Sequence, residues 1–332
     1  MNKYPAIGGY FALELCKNSY PHKNALHLNL ARSAIKLIIK THNIKEIFIP
    51  YFTCKSVLDS IKEQNCNIRF YHINEDLSPR LDCKKHCWII YNDYFGINKN
   101  NVKLLNKKYK NLIIDNAQSF FAKKSKICFY SPRKFLGVSD GGILYDNKSK
   151  IDNIKQDSSL YRAKYLFTRI ENGAEAGYSD FLKAEKSHTK HIKTMSNLTY
   201  ALLQSIDYKQ IKQKRIKNYN YLNNALKNSI KPNLESDEIP MIYPYFGDKS
   251  LREKLIKNKI FVATYWNDME MWCEKKSFEL HLRDHLLPLP IDQRYGEFEM
   301  NRIIKITKWG GGILDDRYNS PSHIAKYEVY CA

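Results

Sequence analysis

The chain has 332 residues, with 54 Lys or Arg against 34 Asp or Glu and a formal charge of +20. A hydrophobic fraction of 43% with 13% aromatic residues excludes a disordered chain and suffices for one large domain and a smaller one. The positive charge is carried by 42 lysines and only 12 arginines. Readers of DNA sequence lean on the arginine fork, so the charge points to a basic enzyme that draws in a phosphate-bearing substrate, and no nucleic-acid partner is expected.

No run approaches 18 apolar residues, and the opening MNKYPAIGGYF has no apolar core of signal-peptide length. Neither membrane insertion nor export is expected. Eight cysteines lie scattered along the chain and read as free thiols of a reducing, cytoplasmic protein. The stretch from Cys83 to Cys87, with His86 inside it, lacks a second ligand pair at zinc spacing, so no metal is expected.

In chain order, ALHLNL is a short strand, ARSAIKLIIKTH a helix with one apolar face, EIFIP a strand ended by Pro50, and SVLDSIKEQN a second helix. IRFYHI, CWIIYN, NLIID, KICFYS and GGILYD follow as apolar strands. Strands alternating with helices predict an α/β fold with a mostly parallel central sheet covered by helices. Beyond residue 148 the spacing predicts long charged helices, KSKIDNIKQDSSLYRAKYLFTRIENG and SNLTYALLQSIDYKQIKQKRIKNYNYLNNALKN. MIYPYF and KIFVATYW then read as strands around the helix KSLREKLIKN, a small α+β unit. The expected division is a large domain over 1–205 and a small C-terminal domain over 206–332.

Ligands of such sheets bind at the carboxyl ends of strands. NLIID ends at Asp115, CWIIYN at Asn92 and Asp93, EIFIP leads into Tyr51, Phe52 and Thr53, and KICFYS leads to Ser131 and Lys134. A lysine in such a site can form a Schiff base, most commonly with pyridoxal phosphate (PLP). PLP needs a buried carboxylate at its ring nitrogen and donors at a helix N-terminus for its phosphate. Asp115, Gln118, the helix start Ala31-Arg32-Ser33-Ala34, Ser131 and the turn Gly141-Gly142 are the residues available for those tasks.

FYSPRKFLGVSDGG, residues 129 to 142, resembles the S-F-H-x-x-K-x-x-x-x-G-E-G-G pattern of the DegT/StrS-type PLP-dependent sugar-nucleotide aminotransferases, matching at Lys134, Gly141 and Gly142 with Asp140 for Glu. IDNAQ, residues 114 to 118, is similar to that family's E-D-A-A-Q. Weaker similarities run in order: Leu30 to Ile35 with S-G-T-x-A-L, Ile49 to Thr53 with V-P-x-x-T, Lys193 to Leu198 with Y-R-M-S-D-L, and Leu287 to Pro290 with L-P-L. The resemblance implies a fold type I PLP-dependent transferase. Lys134 would hold the cofactor, Asp115 pair with its ring nitrogen, and Gln118 contact the oxygen side of the ring. Arg32, Ser33 and Ser131 would meet its phosphate, and Phe52, with Tyr94 or Phe95 as alternatives, would face the ring. It further implies a homodimer with shared sites, a sugar-nucleotide substrate, and glutamate as amino donor. Tyr265, Trp266 and Asn267 are candidates to line the substrate pocket.

Departures from the family pattern concern the pocket. Its histidine is Ser131 here, a serine is Phe129, a stacking aromatic is Cys54, and the residue before Met195 is Thr194. His188 and His191 read as a solvated helix face, and His281 and His285 as structural. The function expected is amino transfer to a keto-sugar nucleotide for surface polysaccharide or glycan biosynthesis. The alternatives are another PLP reaction on a non-nucleotide substrate, or an inactive basic nucleic-acid-binding or scaffold protein.

Overall fold

The computed structural model describes residues 7–309. Its main sheet is built from β1 (Leu26–Leu28), β2 (Glu46–Pro50), β3 (Asn67–Ile73), β4 (Pro79–Arg80), β5 (Trp88–Asn92), β6 (Asn111–Asn116), β7 (Cys128–Tyr130) and β8 (Gly142–Tyr145). Their order is β1-β8-β7-β6-β5-β2-β3-β4. β7, β6, β5, β2 and β3 are mutually parallel; β8 runs against both β7 and β1, and β4 against β3. β1 therefore points the same way as the parallel block.

The central strands are apolar on both faces, as strands covered on both sides must be. Period two sends Ile90 and Ile113 to one face and Ile89, Tyr91, Leu112 and Ile114 to the other. The first face packs on α1 (Ala31–His42) and α2 (Lys55–Lys62) through Ile35, Ile38, Ile39, Val57, Leu58 and Ile61. The second is covered by α3 (Lys99–Lys108), α5 (Asn197–Gln204) and the start of α6 (Tyr208–Leu226), through Leu105, Leu203, Tyr208 and Ile211. Each fully buried isoleucine contributes roughly 1.5–3 kcal/mol, so this two-sided burial sets the register of the whole block.

A second core joins α6 to α7 (Lys249–Lys257), α9 (Glu297–Trp309) and the antiparallel pair β9 (Ile242–Phe246) and β10 (Leu286–Pro290). Here the structure departs from the pattern reading. KIFVATYW forms no strand; Leu286–Pro290 pairs with β9 instead. Ile260 and Val262 of that segment are buried in the second core, whereas Ala263, Tyr265 and Trp266 pack into the first. The segment crosses between two cores, and Arg252 Nη1 rather than a sheet neighbour satisfies the Ala263 carbonyl at 2.7 Å.

The stretch from 148 is also not one helix. α4 (Lys164–Lys186) begins only at Lys164 and is broken at Gly173, with φ +86°. Upstream, backbone bonds run to another segment: Thr194 N–H donates to Lys155 O and Asp157 N–H to Thr194 O. α5 and α6 are separate helices, the second capped by Asp207, which accepts from Gln210 N–H at 2.9 Å. α8 (Phe278–His285) stacks His281 on His285. No helix among the described residues is long and apolar enough to cross a membrane. The glycine-rich tail from Gly310 lies outside the described residues.

Candidate active site

The carboxyl ends of β1, β2, β5, β6 and β7 meet at one edge of the sheet, around an open cleft. Strand register builds its floor. Asn92 lies beside Asp115, and Asp115 beside Phe129, across β5, β6 and β7. Period two puts Asp115 on the same face as Ile113, the face that carries α1. Lys134 reaches the cleft from the turn after β7, where Pro132 to Lys134 form one turn of 3-10 helix.

Burial pushes the Asp115 carboxyl up to about 6; the Lys134 ammonium and the Ala117 N–H, which donates to Oδ1 at 2.8 Å, hold it from going higher. Asp93, one residue past β5, is raised further, to about 7, by burial; the Ser119 hydroxyl donates to its Oδ2 at 2.5 Å. Asn92 Nδ2 donates to Phe52 O and Thr53 Oγ1, both at 3.2 Å. The main-chain N–H of Phe95 donates to Gln118 Oε1 at 3.3 Å, which fixes the amide so that its Nε2 is left over.

That leftover is part of a pattern. Gln118 Nε2, Asn92 Oδ1, Asp93 Oδ1, Arg133 Nε and Trp266 Nε1 are buried without a hydrogen-bond partner, and all five residues line the cleft. Among the described residues seven other buried polar atoms lack a partner, but they are spread over Tyr109, Asn116, Arg162, His188 and Thr199, whereas five gathered around one opening mark a candidate ligand site. The first turns of α1 and α2 also open here. Neither helix has a side-chain cap at its N-cap residue (Leu30 and Cys54) nor an acid in its first turn. Two uncapped N-termini present N–H groups suited to an anion.

Of the residues expected from the sequence, Lys134, Asp115, Gln118, Arg32, Ser131 and Trp266 line the cleft. The Ser33 hydroxyl does not; it donates to Asn29 Oδ1 at 2.8 Å. Phe52 is fully buried behind the wall, its ring 4.9 Å from that of Trp266. Tyr94 and Phe95 are buried with it, so Cys54 and Trp266, not these aromatics, face the opening. Tyr265 stacks on Phe95 at 5.8 Å, and Asn267 is exposed at the start of a 3-10 turn.

Arg133 has no place in the sequence reading of the site, and His188, which could bind phosphate, reads there as part of a solvated helix face. Arg133 lines the cleft and pairs with Glu185 near the end of α4; burial pulls its guanidinium down to about 10. The His188 side chain, expected in solvent, is 1% exposed. Burial first, then Arg133, Arg162 and Arg32, push it down to about 3, so it is neutral behind the arginines. Arg133 adjoins Lys134 in the chain; His188 carries no such signal.

A buried carboxylate, an amine, a leftover amide donor and two helix N-termini with Arg32 and Ser131 fit the ring nitrogen, aldehyde, ring oxygen and phosphate of PLP. No family model matches the chain, and no curated protein matches it. Solved structures do match in fold. A DegT DnrJ EryC1 StrS aminotransferase from Brucella abortus superposes with a TM-score of 0.59 at 16% identity, over 86% of each chain. The PLP form of Spr1654 from Streptococcus pneumoniae, described as a sugar aminotransferase, gives 0.62 at 13% identity over 87% of each chain. PseC of Helicobacter pylori, an aminotransferase of pseudoaminic acid biosynthesis, gives 0.60 at 16% over 85% of each chain. The fold is therefore that of the fold type I PLP-dependent aminotransferases. Among the proteins of that fold, the solved structures that superpose on the chain include sugar aminotransferases of the DegT/StrS type, whose lysine and aspartate motifs its own resemble.

Proposed function

We propose that the protein is a PLP-dependent aminotransferase acting on a keto-sugar nucleotide, with glutamate as amino donor, in surface polysaccharide or glycan biosynthesis. The observation that carries this reading is the convergence of Lys134, buried Asp115 and the unpartnered Gln118 Nε2 in one cleft. When bound, PLP supplies an aldehyde that takes up an amine and a ring that withdraws electrons from the adjoining carbon.

The chain's own groups supply the rest. Asp115, as carboxylate, keeps the ring nitrogen protonated; its raised pKa falls when that cation arrives beside it. Gln118 Nε2 donates to the ring oxygen and orients the ring. Arg32, Ser131 and the N–H groups of α1 hold the phosphate. Lys134 Nζ would hold the aldehyde carbon until the incoming amine displaces it, and once freed it would take and return the proton at the reacting carbon. Trp266, packed on Phe52, forms part of the cleft wall and would keep water from that side. The amine is carried from donor to acceptor in two half-reactions, with one site serving both substrates in turn. A homodimer with shared sites completes the reading, supported by exposed apolar side chains near the cleft.

The test is an absorption spectrum with added PLP, beside Lys134→Ala. Visible absorption in the wild type, absent from the variant and bleached by glutamate, is the expected outcome. Absorption that glutamate leaves unchanged moves the reading to another PLP reaction on a non-nucleotide substrate. Its absence from the wild type removes the enzyme reading.

A further inference from the structure

A second cleft adjoins the first and shares Arg32 and Ser56 with it. It runs between α1 and α2, where Arg32, Lys36, Lys55, Lys62 and Lys190 face only Asp59 and Glu63; the remaining lining is serine. Part of this charge is cancelled locally. Lys36, buried, pairs with Glu63 and donates to the Lys190 carbonyl at 2.6 Å. Lys55 Nζ lies 2.7 Å from Asp59 Oδ2. Lys190 Nζ reaches the same Glu63 only at 3.8 Å.

Arg32 and Lys62 have no ion pair and no side-chain hydrogen bond among the described residues. Arg32 is half-buried, and burial lowers its guanidinium pKa. The nearby carboxylates Asp59 and Glu63 act on it only at a distance and are engaged by Lys55 and Lys36, so the partly desolvated guanidinium gains from a further anion. The uncapped start of α2 opens at the junction of the two clefts, adding N–H dipoles to the same point. With no apolar or aromatic residue in its lining, the groove has nothing on which a base would stack.

We propose that the α1–α2 groove seats the diphosphate of the substrate between Lys62 and Lys190, outward of Arg32, whose guanidinium faces the cofactor's phosphate on one side and the groove on the other, with the sugar end directed into the cleft toward Lys134. The base lies beyond the groove and is not read by it. The ligand's standing as substrate rests on the proposed amino transfer; the groove's affinity for a diphosphate does not.

The experiment is calorimetric titration of the cofactor-loaded protein with UDP, inorganic pyrophosphate and uridine. It is repeated on the double variant Lys62→Glu/Lys190→Glu, whose two side chains are exposed and make no contact with the core. UDP and pyrophosphate are expected to bind the wild type and uridine not. The charge reversal weakens both at least tenfold and leaves cofactor absorption and thermal midpoint unchanged. Equal UDP affinity in the two proteins overturns the proposal. So does loss of cofactor absorption on adding UDP, because the phosphates then occupy the cofactor's own phosphate pole. If glutamate never bleaches the absorption but the reversal still weakens UDP, the groove stands and the amino transfer reading fails.

Discussion

Asp93 and Asp115 stand at the ends of neighbouring strands, and burial raises both carboxyls, to about 7 and about 6. The folded chain without cofactor therefore binds protons that the unfolded chain releases above pH 4. Stability from these two groups is greatest below pH 4 and is lost progressively as pH rises from 4, until the loss is complete at about 6 for Asp115 and about 7 for Asp93. The whole-molecule charge acts in the opposite sense at low pH, so the informative quantity is a difference. The urea midpoint of Asp93→Asn is expected to gain on that of the wild type as pH rises from 4 to 7 and to keep that advantage at pH 8. A constant difference across that range refutes a proton held on Asp93. Asp115→Asn removes a charge-assisted hydrogen bond from the ring nitrogen, worth roughly 1.5–3 kcal/mol. PLP affinity and the rate of glutamate bleaching should each fall by about tenfold to a hundredfold, while apo stability does not fall.

At the scale of elements, the site depends on how closely β8 approaches the first turn of α1. A Cβ at Gly142 would lie 2.6 Å from the Ala31 nitrogen, and one at Gly141, where φ is +126°, the same distance from Pro132 Cγ. Gly142→Ala is expected to push the α1 N-terminus off β8, at a cost of about 1–3 kcal/mol. A lower urea midpoint together with weaker PLP binding checks it; unchanged cofactor affinity means that the helix start does not hold the phosphate. The sheet and its strand ends were legible because doubly covered strands are apolar runs, and each run stops at a polar residue that reaches the cleft. NLIID and CWIIYN carry both signals in five or six residues. What was hidden is tertiary. Arg215 sits in QIKQKRIKN, which reads as a solvated face, yet it is fully buried; it donates to Met241 O at 2.9 Å and lies 4.6 Å over the Phe135 ring. Gln293 accepts from Arg215 at 3.1 Å and donates to Phe135 O at 2.8 Å, so the second core is tied to the residue after Lys134. No local pattern announces a contact across 158 positions. KIFVATYW was misread for the same reason: its alternation serves two cores rather than one sheet.

For the whole molecule, the informative feature is apolar surface left uncovered beside the site. Leu160, Tyr161, Phe167 and Ile170 fall within one stretch at the start of α4; Tyr161 is 91% and Ile170 79% exposed. That stretch packs on the chain just past Lys134, since Tyr165 donates its hydroxyl to Val138 O at 3.1 Å. Single exposed apolar residues need no explanation, but a run of four is unusual for a chain carrying +20. Self-repulsion from that charge favours monomers, so any association must come from apolar burial, at roughly 1.5–3 kcal/mol per large side chain. A second copy packing on this stretch would bring its own chain to the rim of the cleft, as a homodimer with shared sites requires. The wild type is expected to sediment as a dimer at micromolar concentration. Tyr161→Asp with Ile170→Asp is expected to sediment as a monomer that keeps its fold and binds PLP more weakly, because the rim of each cleft has lost its neighbour. A wild type that stays monomeric removes the shared site from the reading. A monomeric variant with full PLP affinity keeps the dimer and confines each cofactor site to one chain.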